Sequence, residues 1–163
     1  MATKSKNLRD GVIKIQDATP TTPKEVTVAI EQGDLKWTEE HPIIEVSDRG
    51  VLDHVREGDE VSVKGSFSVK FCQFLKQTSE SVPGIYEALL QKGSATGWVS
   101  AGDACKYACK IIFEISDCIA GNQNEKITFA KVYITKVSFE EGDPDKMVFD
   151  FIDLEKAPTI TKV

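Results

Sequence analysis

VSVKGSFSVKF, residues 61–71, alternates strictly between two kinds of side chain. Valine and phenylalanine occupy every second position, with Gly65 in register, and serine and lysine fill the positions between them. Because successive side chains of a β-strand point to opposite faces, this pattern predicts a strand with one face on a core and the other in water.

The same alternation recurs on both sides of this segment. Strands are predicted at 11–17, 25–32, 35–39, 43–46, 107–115, 127–139 and 147–154. Between Phe129 and Val132 the alternation slips by one position, which predicts a β-bulge there.

Residues 85–92 are the one good helix candidate, with Ile85, Ala88 and Leu89 at helical spacing on one face. We expect Ser81 to cap its start and Gly93 to end it. A helix this short needs a sheet to pack on. The sequence therefore predicts a mostly β fold with two packed antiparallel sheets, as a sandwich or open barrel, and one short flanking helix.

The 163 residues fit a single domain, without an internal repeat or a linker. Residues 1–10 are polar and predict a flexible or inter-subunit N-terminal arm. Residues 47–60 are rich in charge and predict a long exposed loop.

Composition narrows the classes of function. The net charge is −6 and the basic residues form no run, which argues against ordinary nucleic-acid binding through clustered lysine and arginine. No apolar run reaches the roughly 18 to 20 residues of a membrane span, so no membrane anchor is predicted. No apolar stretch of signal-peptide length follows the polar start, so we expect synthesis in a cytoplasm.

The four cysteines leave several arrangements open. A cytoplasmic protein keeps its thiols reduced, whereas pairing after release from the cell would allow disulfides within or between subunits. If Cys105 and Cys109 share a strand they lie roughly 13 Å apart, too far for one disulfide or one metal ion. Cys109 is expected to be a small core residue. The candidates for disulfide formation are Cys72, Cys105, Cys109 and Cys118.

The sequence contains no recognisable catalytic, metal-binding or cofactor-binding motif. His41 and His54 fall in predicted loops, and the glycines form no phosphate-binding loop. The neighbouring carboxylates fall at loops or strand ends, where solvated charge is normal. Trp37 and Trp98 are expected to anchor loops on the core or to lie in an interface, and the alternative is that they stack on a ligand.

The charged segment carries a family resemblance. DRGVLD at 48–53 and VREGDEV at 55–61 lead directly into the alternating strand, and this arrangement resembles the tail tube proteins of tailed bacteriophages. The other matching features are, in order, GVIKI at 11–15 with the Pro/Thr loop after it, IYEALL at 85–90, Gly93 and Trp98. The resemblance covers most of the chain, although the four cysteines depart from it.

The resemblance implies a structural subunit of the virion, made in the host bacterial cytoplasm. Such subunits form hexameric rings that stack into a tube, and DNA passes through the lumen during ejection without specific binding. The implied partners are further copies of the chain, other tail proteins and, in a contractile tail, a sheath. Charges of alternating sign in the loop suit contacts between copies. The residues expected there are Asp48, Arg49, Arg56, Glu57 and Asp59.

Net acidity fits that role, because a wall of negative charge would not hold DNA as it slides. Two alternatives remain open. One is another assembly part on the same fold, such as a secretion-system tube, a tail terminator or a baseplate subunit. The other is a small β-sandwich binding module that uses Trp37 or Trp98 on a ligand.

Overall fold

The computed structural model describes residues 11–28, 35–58, 62–70, 76, 81–115, 124–142 and 145–162. These residues form ten strands, one α-helix and one 3-10 turn. In chain order they are β1 Gly11–Gln16, β2 Glu25–Val28, β3 Leu35–Glu39, β4 Ile43–Asp48, β5 Val51–Glu57, β6 Val63–Lys70, α1 Ile85–Leu90, the 3-10 turn Gly93–Ala95, β7 Cys109–Ile115, β8 Glu125–Glu140, β9 Lys146–Asp153 and β10 Thr159–Lys162.

The strands form two antiparallel sheets of very different size. Eight strands make one sheet in the order β2-β1-β7-β8-β9-β6-β3, with β10 pairing beside β8, whereas β4 and β5 pair only with each other. The predicted mostly β fold with two antiparallel sheets and one short helix is confirmed. The described strands do not close into a barrel, because β2 and β3 remain separate edges. Strand β10 was not predicted: all four of its residues are exposed, so no buried face marks it in the sequence.

Strand β6 confirms the interpretation of residues 61–71, whose two ends lie outside the described residues. Val63, Phe67 and Val69 are buried on its inner face. The Phe67 ring stacks on Phe149 of β9, with ring centroids 5.4 Å apart. The strand lies between β3 and β9, so its apolar residues sit near the middle of one half of the core.

Gly65 lets aromatic rings meet across this half of the sheet. It pairs with Trp37 on one side and Phe151 on the other. A Cβ at Gly65 would lie 2.5 Å from the Phe151 ring and 2.7 Å from the Lys36 carbonyl oxygen, so only glycine fits. Phe129 of β8 then contacts both Phe151 and Trp37, at centroid distances of 5.4 Å and 5.8 Å. Because β3 is three strands away from β8, these contacts require the sheet to curl.

The predicted bulge in β8 is confirmed. Ile111 pairs with Phe129 and Cys109 with Val132, so two steps along β7 match three along β8. The extra residue removes backbone N–H groups from the hydrogen-bond ladder between the two strands. The buried carboxylate of Asp153 accepts hydrogen bonds from the N–H groups of Ala130 and Lys131, which lie within the bulge. The bulge bends the long strand where it changes neighbours from β7 and β10 to β9.

Helix α1 buries the face that its spacing predicts, with Ile85, Ala88 and Leu89 in the core beside β2. It ends at Leu90, two residues earlier than predicted, because Gln91 takes a left-handed conformation with φ of 51°. The prediction that Ser81 caps its start is wrong, since the N-cap residue is Gly84.

The prediction of a charged loop over residues 47–60 is also wrong in its local structure. Residues 43–57 are a β-hairpin, β4–β5, closed by a two-residue turn at Arg49 and Gly50, both with positive φ. Such a turn matches the twist of the two strands, and glycine adopts it without strain. The segment is exposed, as expected, and its full exposure on β5 explains why no alternating pattern marks the strand.

Candidate assembly surface

The hairpin β4–β5 positions four of the five residues predicted to contact other copies. Asp48 and Arg49 lie at its tip, whereas Arg56 and Glu57 lie at its root, opposite Ile44 and Ile43. The structure therefore separates the predicted contact residues into two pairs. Asp59 lies outside the described residues.

Only part of the hairpin's charge is neutralised within the chain. At the root, Glu57 accepts a hydrogen bond from the Lys156 ammonium at 3.0 Å. Asp48, Arg49 and Arg56 have no side-chain partner among the residues that the structure describes. Their charges are available to a second molecule.

Large apolar side chains are exposed on both faces of the hairpin. One face carries Ile43, Leu52 and Val55, and the other carries Ile44 and Val51, as the register and a bulge near Ser47 place them. Their exposed fractions run from 36% for Ile44 to 71% for Val51. Several exposed apolar side chains on one short segment are a feature of contact sites.

The hairpin receives little support from its own chain. Its strands pair with no other strand in the described part of the molecule, and its root is closed by a 2.7 Å hydrogen bond from the Gly58 N–H to the Pro42 carbonyl oxygen. An isolated two-stranded hairpin is at best marginally stable in water. A surface that covers its apolar side chains would therefore stabilise it.

The larger sheet also offers open edges. Within the described residues, β2, β3 and β10 each pair on one side only. An unpaired edge presents free N–H and C=O groups that can pair with another chain. These edges and the hairpin together form the candidate assembly surface.

The two histidines considered for chemistry each lie beside one carboxylate. His41 and His54 are exposed, near Glu39 and Asp53 at 3.7 Å and 2.8 Å. No group of three or more metal-ligating side chains occurs among the described residues.

Two of the four cysteines can be placed. Burial raises the pKa of the Cys109 thiol to about 12, so this core residue, predicted as such, stays protonated. Cys105 is exposed in the segment before β7, and neither of these two residues forms a disulfide among the described residues. Cys72 and Cys118 lie outside the described residues, and the disulfide hypothesis stays a prediction.

Both tryptophans contribute to the core, which was the favoured expectation. Trp98 is 5% exposed, and Trp37 packs edge-on against Phe129 while its indole N–H donates to Glu39 at 3.3 Å. Trp37 is only partly buried and also lines a surface depression, so the alternative of a binding module stays a prediction.

Three buried carboxylates were missed by the sequence analysis. Asp17, Glu87 and Asp153 each accept several hydrogen bonds, mostly from backbone N–H groups of nearby loops or of the β8 bulge. Two local signals could have indicated them. Thr19 lies two residues after Asp17, the spacing of an Asx turn, and Glu87 is the third helical residue, where a carboxylate caps the helix start. Their saturation with donors identifies all three as structural groups.

The Glu87 carboxylate accepts four hydrogen bonds from three other residues and so links them to helix α1. Its carboxylate accepts hydrogen bonds from the N–H groups of Lys76, Gly84 and Ser94, at 2.8 Å, 3.1 Å and 3.0 Å, and from the Ser94 hydroxyl at 2.7 Å. Burial raises the pKa of Glu87, but the hydrogen bonds outweigh burial and lower the pKa to about 2. Gly93, with φ of 51°, leaves room for this carboxylate at the helix end.

The substitution Glu87→Gln is expected to lower the free energy of unfolding by about 2 kcal/mol at pH 7, because hydrogen bonds to a charged acceptor are lost. The folded-state pKa lies below the ordinary value of 4.5, so this stabilisation is present above pH 4.5 and is lost as the pH falls toward 2. Urea unfolding of both proteins at pH 7, 4.5 and 3 should show their difference shrinking with pH. A difference that stays constant would contradict the role of the charge.

The described part of the chain has no helix long and apolar enough to cross a membrane. Compared by sequence, the chain matches no protein-family model and no curated protein. Compared by structure, it is similar to a chain of the anti-feeding prophage cap, the AFP tube terminating cap, with a TM-score of 0.65 and 9% identity over 100% of this chain and 95% of that chain. It is also similar to a chain of the six-fold symmetrised anti-feeding prophage baseplate, with a TM-score of 0.54 and 7% identity over 99% and 97% of the two chains. At these identities the similarity establishes a shared fold along the whole chain.

Proposed function

We propose that this chain is a structural subunit of a phage-tail-type particle, and that its copies form six-fold rings that stack into a tube whose lumen conducts DNA. The observation that carries the proposal is the exposed hairpin β4–β5, with apolar side chains on both faces, on a fold shared end to end with a tube-terminating cap. The role is structural and needs no catalytic group.

The hairpin suits a contact between copies because it is unlike the rest of the surface of its own chain. Its exposed valine, leucine and isoleucine side chains would become buried in a neighbour, while the unpaired charges of Asp48, Arg49 and Arg56 would set the register of the contact. A contact between a projecting hairpin and a different surface of the next copy is heterologous. Repeated, such a contact closes into a ring or continues as a filament.

The open edges of the large sheet supply a second kind of contact. Strands β2 and β3 end the sheet on opposite sides, so a neighbour's strand could extend it at either end. Pairing of edges would give the rings a continuous β-structure and would remove the aggregation hazard of a free edge.

A single terminating ring at the end of a tube is the second candidate. It is favoured by the similarity to the tube-terminating cap, whose TM-score exceeds that of the baseplate chain. The two candidates share the fold and the ring, and they differ in whether rings of this chain stack on one another.

Electron microscopy and sedimentation velocity of the purified chain over a range of concentrations separate these functions. Stacked rings with a central channel are expected for a tube subunit. Single rings that do not stack would instead assign the chain to a tube end. A monomer that persists at the highest concentration would contradict both.

A further inference from the structure

The outer face of the four strands β3, β6, β9 and β8 is basic, although the chain as a whole is acidic. This face lies opposite the aromatic core, because Phe67, Phe149 and Phe151 point inward from the alternate positions of the same strands. The face carries two carboxylates, Asp150 and Glu140. Its five lysines, which define what we call the lysine face, are Lys36, Lys64, Lys70, Lys136 and Lys146.

Strand register arranges these lysines as an array. Lys36, Ser66, Asp150 and Lys136 form one row across the four strands, with a lysine at each end. Because paired strands lie about 4.8 Å apart, these two lysine positions are roughly 14 Å apart. Lys70 and Lys146 stand opposite each other in a parallel row further along the strands, and Glu140 completes that row on the other side of Lys146.

The floor between the lysines is open and mixes hydroxyl groups with apolar surface. Ser66 and Ser68 are each 8% exposed, and they form part of the floor below the longer side chains. A depression of about 420 Å³ is lined by Lys36, Lys64, Ser66 and Asp150 and also by Trp37, Phe151 and Ile152. A second depression, of about 270 Å³, is lined by Lys36, Ser66 and Lys146 and also by Glu140 and Val148. The result is an open surface on which lysine side chains surround a floor of hydroxyl groups and apolar surface.

This composition distinguishes a phosphate contact from a protein contact. Lysine and serine are depleted in protein–protein interfaces, whereas lysine and hydroxyl side chains make most of their nucleic-acid contacts to phosphate oxygens. The hairpin, in contrast, exposes isoleucine, valine and leucine side chains between its charged residues. The chain therefore divides its surface between a region suited to protein and a region suited to a polyanion.

We infer that the lysine face contacts the phosphate backbone of DNA as it passes the protein, an inference that takes the identity of the polymer from the proposed function. Lysine is a strongly hydrated point charge on a flexible stem, so such contacts are weak and independent of base sequence. The sequence analysis expected the net negative charge to keep DNA from binding the protein. On this inference, DNA instead makes weak contacts with one basic face of a chain that is acidic as a whole.

Lys36 and Lys136 are the best positions for a test, because neither has a side-chain partner among the described residues, whereas Lys64 pairs with Glu40 at 3.6 Å. The double variant Lys36→Gln/Lys136→Gln removes two charges from the face. The matched control Lys92→Gln/Lys162→Gln removes two exposed charges elsewhere. Fluorescence anisotropy with a labelled 20-base-pair duplex, at salt concentrations from 50 to 200 mM, reads out binding.

The wild type is expected to bind the duplex weakly, with affinity falling as salt rises. Each phosphate contact contributes about 0.9 to the slope of log affinity against log salt, so the face variant should lose roughly two units of slope and on the order of 10-fold to 100-fold in affinity at 50 mM salt. The control should keep its slope within about half a unit.

An equal loss of DNA affinity in the face variant and the control, or no DNA binding by the wild type, would overturn the inference. Neither result would bear on ring assembly. Sedimentation velocity of the same variants gives a separate readout. Loss of rings in the face variant with unchanged DNA affinity would show that a second copy covers this face and would also overturn the inference. Failure of the wild type to form rings would count against the proposed function alone.

Discussion

Replacing Val51 and Leu52 together with aspartate is expected to abolish ring formation while leaving the monomer folded. The two side chains are 71% and 55% exposed and lie beside the turn of the hairpin, on opposite faces. In the folded monomer they meet mainly water, so the free energy of unfolding should change by less than about 0.5 kcal/mol. In an interface, each new carboxylate would be buried without a partner, which is strongly unfavourable.

The expected loss is at least about 3 kcal/mol per contact, or more than 100-fold in the association constant. Sedimentation velocity would measure assembly, and the urea midpoint would verify the fold. The double variant Val82→Asp/Val99→Asp is the matched control, because both side chains are 45% exposed and neither belongs to the hairpin. Persistence of rings in the hairpin variant, or equal loss in the control, would remove the hairpin from the interface.

The substitution Phe129→Ala is expected to destabilise the monomer by about 4 kcal/mol, the range found when a buried aromatic ring is removed. Phe129 is fully buried, and its ring contacts Trp37 of the edge strand β3 and Phe151 of β9. Its loss leaves a cavity where the sheet curls, so β3 should loosen before the rest of the sheet.

Urea unfolding would give the change in free energy, and the emission of Trp37 should shift to longer wavelength before the main transition. Leu154→Ala is the control, because this side chain is 55% exposed and should cost less than about 0.5 kcal/mol. A decrease of less than about 1 kcal/mol in the free energy of unfolding of Phe129→Ala would mean that these ring contacts do not stabilise the curled sheet.

Where one face of an element is buried, the pattern of residues predicted its structure. The alternation over residues 61–71 gave β6, and the slip between Phe129 and Val132 gave the bulge of β8, because each inward position must be apolar and an inserted residue shifts every later one. The helix face of Ile85, Ala88 and Leu89 follows from the same reasoning. Its end at Leu90 was misplaced, because the left-handed backbone at Gln91 carries no signal in residue type.

Where an element is exposed on both faces, the pattern failed. The hairpin was interpreted as a loop because its strands bury no face within the chain, and β10 was missed for the same reason. Residues 48–61 nevertheless drew attention through their resemblance to tail tube proteins. The role of the segment in contacts between copies stays a prediction, while its strand–turn–strand form came from the structure.

By itself the sequence determined the antiparallel β fold, the short helix on its flank and the buried position of Cys109, since each depends on local spacing of apolar residues. Only the tertiary structure decided the lysine face, because Lys36 and Lys136 are 100 positions apart in the sequence and come to lie in one row through the register of four strands. It also decided that Asp17, Glu87 and Asp153 are saturated structural carboxylates. Part of their hydrogen-bond donors, the N–H groups of Val99, Ala130 and Lys131, come from distant segments, and long-range pairing of that kind is a property of the folded chain.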